Sequence, residues 1–331
     1  MDYILPLSLA SLSMSMLVTR AKLLRLPQWS FGFGSNMNVE FVEHKKGHKV
    51  LDSVACVAQG WRMTFNLRGM PLVEPAFANA MPAMPGDRQD TVHGVAILLG
   101  PEDVQKLCNQ ERGYDKVWIN VDCYANNSQG FTTIKAFIFS KTKPGNRPFL
   151  TKDQQTPSRR YLNLLINGAK AAGLKDTYIQ RLEQVECYEP TESTMALRRK
   201  LPLPKDLKLM TVNELAATRS STDTKYTHVA IFGYILKLEK NQVWFRSHKG
   251  RDLTARFSRH FRGISMDEND DNGKPPFLAL DEMSDGEKEY IMRWLDFYLA
   301  KDPSIVGYVK EFLDECNFVP LQDDVVQVGS L

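Results

Sequence analysis

The residues best suited to chemistry in this 331-residue chain lie in the loop Phe31-Gly32-Phe33-Gly34-Ser35-Asn36-Met37. A β-run that ends in Gly-x-Gly-Ser-Asn can turn with positive φ and expose consecutive backbone N–H groups. Such a nest binds a carboxylate or a phosphate, and Ser35 and Asn36 add polar side chains to it. The loop lacks the third glycine of a dinucleotide fingerprint and the Gly-Lys-Ser/Thr of a P-loop. Taken alone, a Gly-x-Gly turn is more often only a tight loop, and Glu111 alone reads as a solvated acid at a helix end. The five cysteines (Cys56, Cys108, Cys123, Cys187 and Cys316) are scattered and form no C-x-x-C pair. That spacing argues against a disulfide framework and a zinc site, and for a reducing compartment. Each cysteine reads as a small core residue. The acidic run Asp267 to Asp271 lacks the spacing of a calcium loop, so no metal site is expected.

The elements that must position the loop are legible as runs and breaks. Short β-like runs at Val50 to Val57, Trp61 to Phe65, Val92 to Leu98, Val117 to Val121 and Thr132 to Ile138 alternate with turn signals. Pro101 after Gly100 opens a helix that ends near Gln110. Leu162, Leu165, Ile166 and Ala169 keep helical spacing, Gly173 breaks it, and Tyr178, Leu182 and Val185 resume it. The three prolines of residues 189–208 mark a linker. Beyond it, Thr211-x-x-Glu214 and Ser284-x-x-Glu287 are capping boxes, and the helix after Ser284 presents an apolar face from Tyr290 to Tyr298. With 43% hydrophobic residues there is apolar material for two cores. A net charge of +3, from 42 basic and 39 acidic residues, gives no reason to expect nucleic acid as a partner. The cluster Arg198-Arg199-Lys200 reads as a solvated linker face. The apolar run Tyr3 to Val18 is interrupted by Pro6 and four serines and is shorter than a spanning helix needs. It is either a signal-anchor that keeps the rest in the cytosol or a leader that packs on the first domain, and we favour the second.

Four ordered segments resemble the γ-glutamylcyclotransferase family. Phe31 to Met37 is similar to its Y-G-S-N-L loop. Gln110-Glu111 follows a strand and short helix as the family's catalytic glutamate does. Gly113-Tyr114 then leads into the next strand, and Tyr161 to Leu174, with Gly168-Ala169 and Gly173-Leu174, resembles the terminal helix. The resemblance implies a mixed β-barrel with flanking helices that needs no metal or cofactor. It implies release of 5-oxoproline from a small γ-glutamyl amine or peptide, with Glu111 as general acid/base. Phe33, Gly34, Ser35, Asn36, Met37 and Tyr161 would bind the substrate. Phe33 departs from the family's tyrosine, and Arg112 stands where a glycine often follows the glutamate. Those departures bear on substrate choice.

The second half resembles the cytochrome b5-like haem/steroid-binding family, in its membrane-associated progesterone receptor branch. The carrying residues are Met210 to Leu215, Val229 to Gly233, Gly250-Arg251-Asp252, Met283-Ser284-x-x-Glu287, Trp294 and Val306-Gly307. The axial tyrosine of that branch falls on Phe245, which cannot ligate iron. His248 and His260 lie near enough to substitute, but lone histidines are more often satisfied structural groups. The expectation is therefore an α+β protein with an apolar leader at 1–28, a cyclotransferase-like domain at 29–190, a linker at 191–208, a cytochrome b5-like domain at 209–318 and a tail at 319–331. It is expected to be cytoplasmic; the alternative is membrane attachment through the leader. The competing function is a non-catalytic binding protein whose second domain takes haem, a sterol-like ligand or a partner protein.

Overall fold

The computed structural model describes residues 26–87, 90–125, 130, 132–144, 148–220, 225–239, 248–263 and 282–313. Phe245, Cys316, the acidic run 267–271, residues 1–25 of the expected leader and the tail lie outside the described residues; Gln28, assigned to the leader, opens the first strand. The chain divides into two compact units: Met1–Arg68 with Ala76–Cys187, and Gly69–Pro75 with Tyr188–Leu331.

The first unit is built on strands β1 (Gln28–Gly32), β2 (Val50–Gln59), β3 (Trp61–Met70), β4 (Glu74–Pro82), β5 (Thr91–Leu99), β6 (Asp115–Cys123) and β7 (Thr133–Ser140). Five of them close a barrel in the order β1-β5-β2-β6-β7, while β3 and β4 pair separately. Closure comes from β1, antiparallel to β5 through Phe31↔Ala96 and parallel to β7 through Ser30↔Phe137. Small buried residues let the strands approach. A methyl on Gly94 would lie 2.2 Å from the Gly32 carbonyl oxygen, so glycine is needed there for space. Three helices follow the pattern read from sequence. Helix α1 (Pro101–Gln110) starts with Pro101, whose missing N–H costs nothing at the first helical position. Helix α2 (Arg159–Ala171) is capped by Ser158, whose hydroxyl oxygen accepts from the Tyr161 N–H at 3.1 Å. Helix α3 (Asp176–Glu183) buries Tyr178, Ile179 and Leu182. Cys56 and Cys187 are buried and Cys108 and Cys123 partly so, with the Cys56 and Cys123 sulfurs 3.6 Å apart.

The second unit carries a sheet in the order β11-β9-β10-β12-β8. Its strands are β8 (Leu209–Met210), β9 (Tyr226–Ile231), β10 (Tyr234–Glu239), β11 (Arg251–Asp252) and β12 (Ser304–Val309), and its helices are α4 (Glu192–Arg198), α5 (Val212–Ala217), α6 (Thr254–Phe261) and α7 (Asp285–Leu299). The β9–β10 hairpin turns on Phe232 and Gly233, both at positive φ (48° and 80°), the backbone that two-residue hairpins need. Both predicted capping boxes form, Thr211 with Glu214 and Ser284 with Glu287.

The stretch 191–208 differs from the expected linker. It holds α4, and Arg198 donates from Nε and Nη2 to the two carboxylate oxygens of Asp296, each at 2.6 Å. Arg198 is therefore no solvated face. A seven-residue helix is too short to show a period, and its ionic partner lies 98 residues away.

Candidate active site

The candidate site begins where β1 stops. After Gly32 the chain makes one 3-10 turn, Ser35–Met37, closed by the Met37 N–H donating to the Gly34 carbonyl at 3.0 Å. Neither glycine of the motif takes positive φ, which corrects the reason expected for them. Gly32 is required for space: a methyl there would stand 2.5 Å from the Asn36 carbonyl oxygen and 2.7 Å from its carbon. The loop folds back over its own strand, and only a residue without Cβ lets it do so.

The turn leads into a short π-helical segment, Phe41–Lys45, in which the Lys46 N–H reaches the Phe41 carbonyl at 3.1 Å. Such five-residue turns are rare and cluster at functional sites. Two side chains pin the segment to α1. His48 is buried, with Nε2 2.8 Å from Gln110 Oε1 and Nδ1 3.3 Å from Asp103 Oδ1. The Lys106 ammonium donates to the Gly47 carbonyl at 2.6 Å.

Glu111 is the C-cap of α1, its N–H bonded to the Leu107 carbonyl at 2.9 Å. Its carboxylate oxygen Oε1 accepts from Asn36 Nδ2 at 3.2 Å and from Lys46 Nζ at 2.9 Å. A helix C-terminus is the unfavourable end of the dipole for an anion, and the two donors offset that. The Glu111 side chain is 18% exposed and that of Lys46 19%, so the pair is mostly withdrawn from water. Asn36 Oδ1 is buried and has no hydrogen-bond partner. An orphaned acceptor beside a carboxylate is costly unless a donor arrives. Tyr114 stands close by, its hydroxyl held protonated by burial and then by the Glu111 charge.

Tyr161, at the start of α2, closes the other side. Its hydroxyl accepts from the Ala78 N–H at 3.3 Å, and its ring meets Phe77 edge-on with centroids 5.0 Å apart. A methyl on Gly34 would lie 3.6 Å from that hydroxyl. Further along α2, a methyl on Gly168 would lie 3.5 Å from the Met37 Cβ, so the helix packs directly on the loop.

The structure thus brings Gly34, Ser35, Asn36, Glu111 and Tyr161 together. Phe33 and Met37 point elsewhere: both are buried in the core, at 7% and 1% exposure, and the Met37 N–H is spent on Gly34. The Phe33 and Met37 side chains thus belong to the core that backs the loop. Sequence reasoning missed Lys46 and His48, because His44-Lys45-Lys46-Gly47-His48-Lys49 reads as a solvated basic run. A hollow of about 520 Å³ opens elsewhere on the barrel wall between Trp29, Leu98 and Lys135, and it touches none of these groups.

Comparison with known proteins bears on the family of the first unit. Residues 91–182 match the AIG2-like family. The chain is 29% identical over 184 residues to "Gamma-glutamyl cyclotransferase gliK" of Aspergillus fumigatus, covering 51% of this chain and 66% of that protein. It is 28% identical over 155 residues to the protein of that name from Claviceps purpurea, covering 45% and 66%. It therefore spans just under two thirds of the length of these relatives. With "Gamma-glutamyl cyclotransferase verK" of Clonostachys rogersoniana it shares 30% identity over 153 residues, covering 41% of this chain and 82% of the relative. The chain belongs, through its first unit, to the AIG2-like, γ-glutamyl cyclotransferase family.

Proposed function

We propose that the first unit is a γ-glutamylcyclotransferase that releases 5-oxoproline from a small γ-glutamyl amine or peptide. The observation that carries the reading is the Glu111 carboxylate held at the mouth of the Ser35–Met37 turn by Asn36. In the reaction the substrate's own α-amine attacks its γ-carbonyl. A five-membered lactam closes and the γ-linked amine leaves. The attack is intramolecular, so holding the glutamyl group in the cyclising conformer supplies much of the acceleration. Glu111 takes the proton from the α-amine and returns one to the leaving nitrogen. The orphaned Asn36 Oδ1 is placed to accept from the α-ammonium as it arrives. The N–H groups of Ser35 and Asn36, at the start of a helical turn, suit the α-carboxylate or the developing oxyanion. The Tyr161 hydroxyl, beside Gly34, closes the pocket. The test is 5-oxoproline release from γ-glutamyl amino acids and glutathione. Glu111→Gln is expected to lower it by roughly 10²- to 10⁴-fold, and full activity in that variant overturns the mechanism.

The second unit has a different candidate role. Two of the residues that carried its cytochrome b5-like reading, Gly233 and Gly307, fall at tight points of its sheet. Gly233 lies in the β9–β10 turn, where a methyl would meet the Tyr308 ring at 2.4 Å, and a methyl on Gly307 would meet the Lys208 carbonyl oxygen at 2.7 Å. These contacts support a structural reason for the motif. The axial tyrosine position, Phe245, offers no iron ligand. His248 Nδ1 lies 2.9 Å from the Tyr298 hydroxyl and His260 Nδ1 2.6 Å from that of Tyr290, contacts that give both rings a structural role. Phe257 stacks on Trp294 at 4.3 Å, filling space between α6 and α7. We therefore assign this unit to binding an apolar ligand or a protein, or to support, with no haem step. Among the described residues no helix is long and apolar enough to cross a membrane. A cytoplasmic setting rests on the scattered thiols.

A further inference from the structure

We infer that Lys46 is a specificity-determining residue that reads a carboxylate on the leaving amine. The inference rests on the cyclotransferase reading and deepens it. Its starting point is where the lysine stands in the free site. Glu111 Oε1 accepts two hydrogen bonds, from Asn36 and Lys46, which fills that oxygen and leaves Oε2 to exchange protons with the amines. The Lys46 ammonium is thus held beside the nitrogen that Glu111 serves. Asn36 is fixed by the turn that carries it. Lys46 is a long side chain on a pinned backbone: its N–H is held by Phe41, its carbonyl accepts from Gln110 Nε2 at 3.3 Å, and His48 locks the residues beyond it. The ammonium can therefore turn about its own side chain while the segment stays.

An ammonium in a mostly dry pocket is stabilised by any second anion that comes within reach. The substrate supplies candidates. The glutamyl α-carboxylate suits the Ser35 and Asn36 amides. The other anion depends on what is leaving. When the leaving group is a free α-amino acid, its carboxylate carbon is two bonds, about 2.5 Å, from the nitrogen that Glu111 protonates. Glu111 must come within about 3 Å of that nitrogen, and Lys46 Nζ is 2.9 Å from Glu111. A small rotation of the lysine brings ammonium and carboxylate into contact. In glutathione the same position is a neutral peptide carbonyl, and the carboxylate lies one residue, about 3.8 Å, further out. A simple γ-glutamyl amine offers no anion there. The bland alternative is that Lys46 only neutralises Glu111 at the end of α1, in which case it treats every substrate alike.

The test compares γ-glutamyl-alanine with its neutral isostere γ-glutamyl-alaninamide in the full chain, reading kcat/KM for 5-oxoproline release. The wild type is expected to prefer the free carboxylate by roughly 10- to 100-fold, the worth of a hydrogen bond between charged groups. Lys46→Met should reduce that ratio to about 3-fold or less, mainly through KM for γ-glutamyl-alanine, and Lys46→Arg should restore most of it. A wild-type ratio near one overturns the inference, as does a ratio that Lys46→Met leaves unmoved. Because the wild-type ratio is itself decisive, a poorly folded variant does not shelter the idea. If the wild type turns over neither compound, this inference falls, and the cyclotransferase reading falls with it only if glutathione is not turned over either. If it turns over both without preference, only this inference falls.

Discussion

The most direct test of how the loop is built is Gly32→Ala. An added methyl would stand 2.5 Å from the Asn36 carbonyl oxygen, 2.7 Å from its carbon and 2.9 Å from its Cβ. Two of these three atoms are backbone, so no side-chain rotation relieves the clash. Restoring an ordinary contact of about 3.5 Å requires moving the Asn36 peptide by about 1 Å. The Asn36–Glu111 hydrogen bond is 3.2 Å, already at the long end of the normal range, and a displacement of that size is large enough to break it. Overpacking of this kind costs about 1–3 kcal/mol. With an m value of about 2 kcal/mol/M, the urea midpoint of the first unit should fall by about 0.5–1.5 M. Loss of alignment by 1 Å should lower 5-oxoproline release by about 100-fold. Gly34→Ala is the stability control, because its methyl meets only the Tyr161 hydroxyl, at 3.6 Å. Its midpoint should stay within about 0.3 M of wild type. Wild-type midpoint and activity in Gly32→Ala would refute the argument, as would an equal loss of stability in both variants.

Two further outcomes are expected. His93 is buried beside Tyr124 and Tyr178, and burial, then Arg181 and Lys175, hold its pKa down to about 4. A depressed histidine favours the folded state above pH 6.5 and loses that contribution as pH falls from 6.5 through 4. Up to about 3 kcal/mol is at stake over that window. His93→Gln should flatten the pH dependence of the urea midpoint there, and identical slopes in both proteins would show that His93 does not set it. In the second unit, burial pushes the Asp296 carboxyl up and Arg198 opposes that. Arg198→Ala should destabilise the unit by about 3–5 kcal/mol, and the double variant Arg198→Ala/Asp296→Asn by clearly less. Equal losses in the single and double variants would mean that the charge of Asp296 is not the cause.

Much of the site was legible because its makers are local. The motif glycine, the helix opened by Pro101 and the capped helix carrying Tyr161 each announce themselves within a few residues. Glu111 follows from the end of that first helix, and its neighbours do not. Lys46 and His48 meet partners 65 and 62 residues away, so nothing in the surrounding charge pattern separates them from a solvated run. The glycines were placed rightly for the wrong reason, since positive φ and crowding leave the same residue in the sequence. Strand β4 holds Pro75 and Pro82, which mask a strand in any local reading. Helix α4 is hidden by its brevity, and its anchor Asp296 belongs to a helix nearly a hundred residues on.

The π-helical turn at Phe41–Lys45 has a consequence for how this site can change over time. Its closing bond runs from the Lys46 N–H to the carbonyl five residues back, one more than in an α-helical turn. Deleting any one residue between them would let the turn relax to the ordinary spacing and rotate everything after it by about 100°. Lys46 would swing off Glu111 and His48 off Gln110 together. Exchanges of exposed side chains within the turn leave that geometry intact, whereas a change of length by one does not. The reach of Lys46 is thus encoded in a residue count, and drift by insertion or deletion endangers it more than drift by substitution.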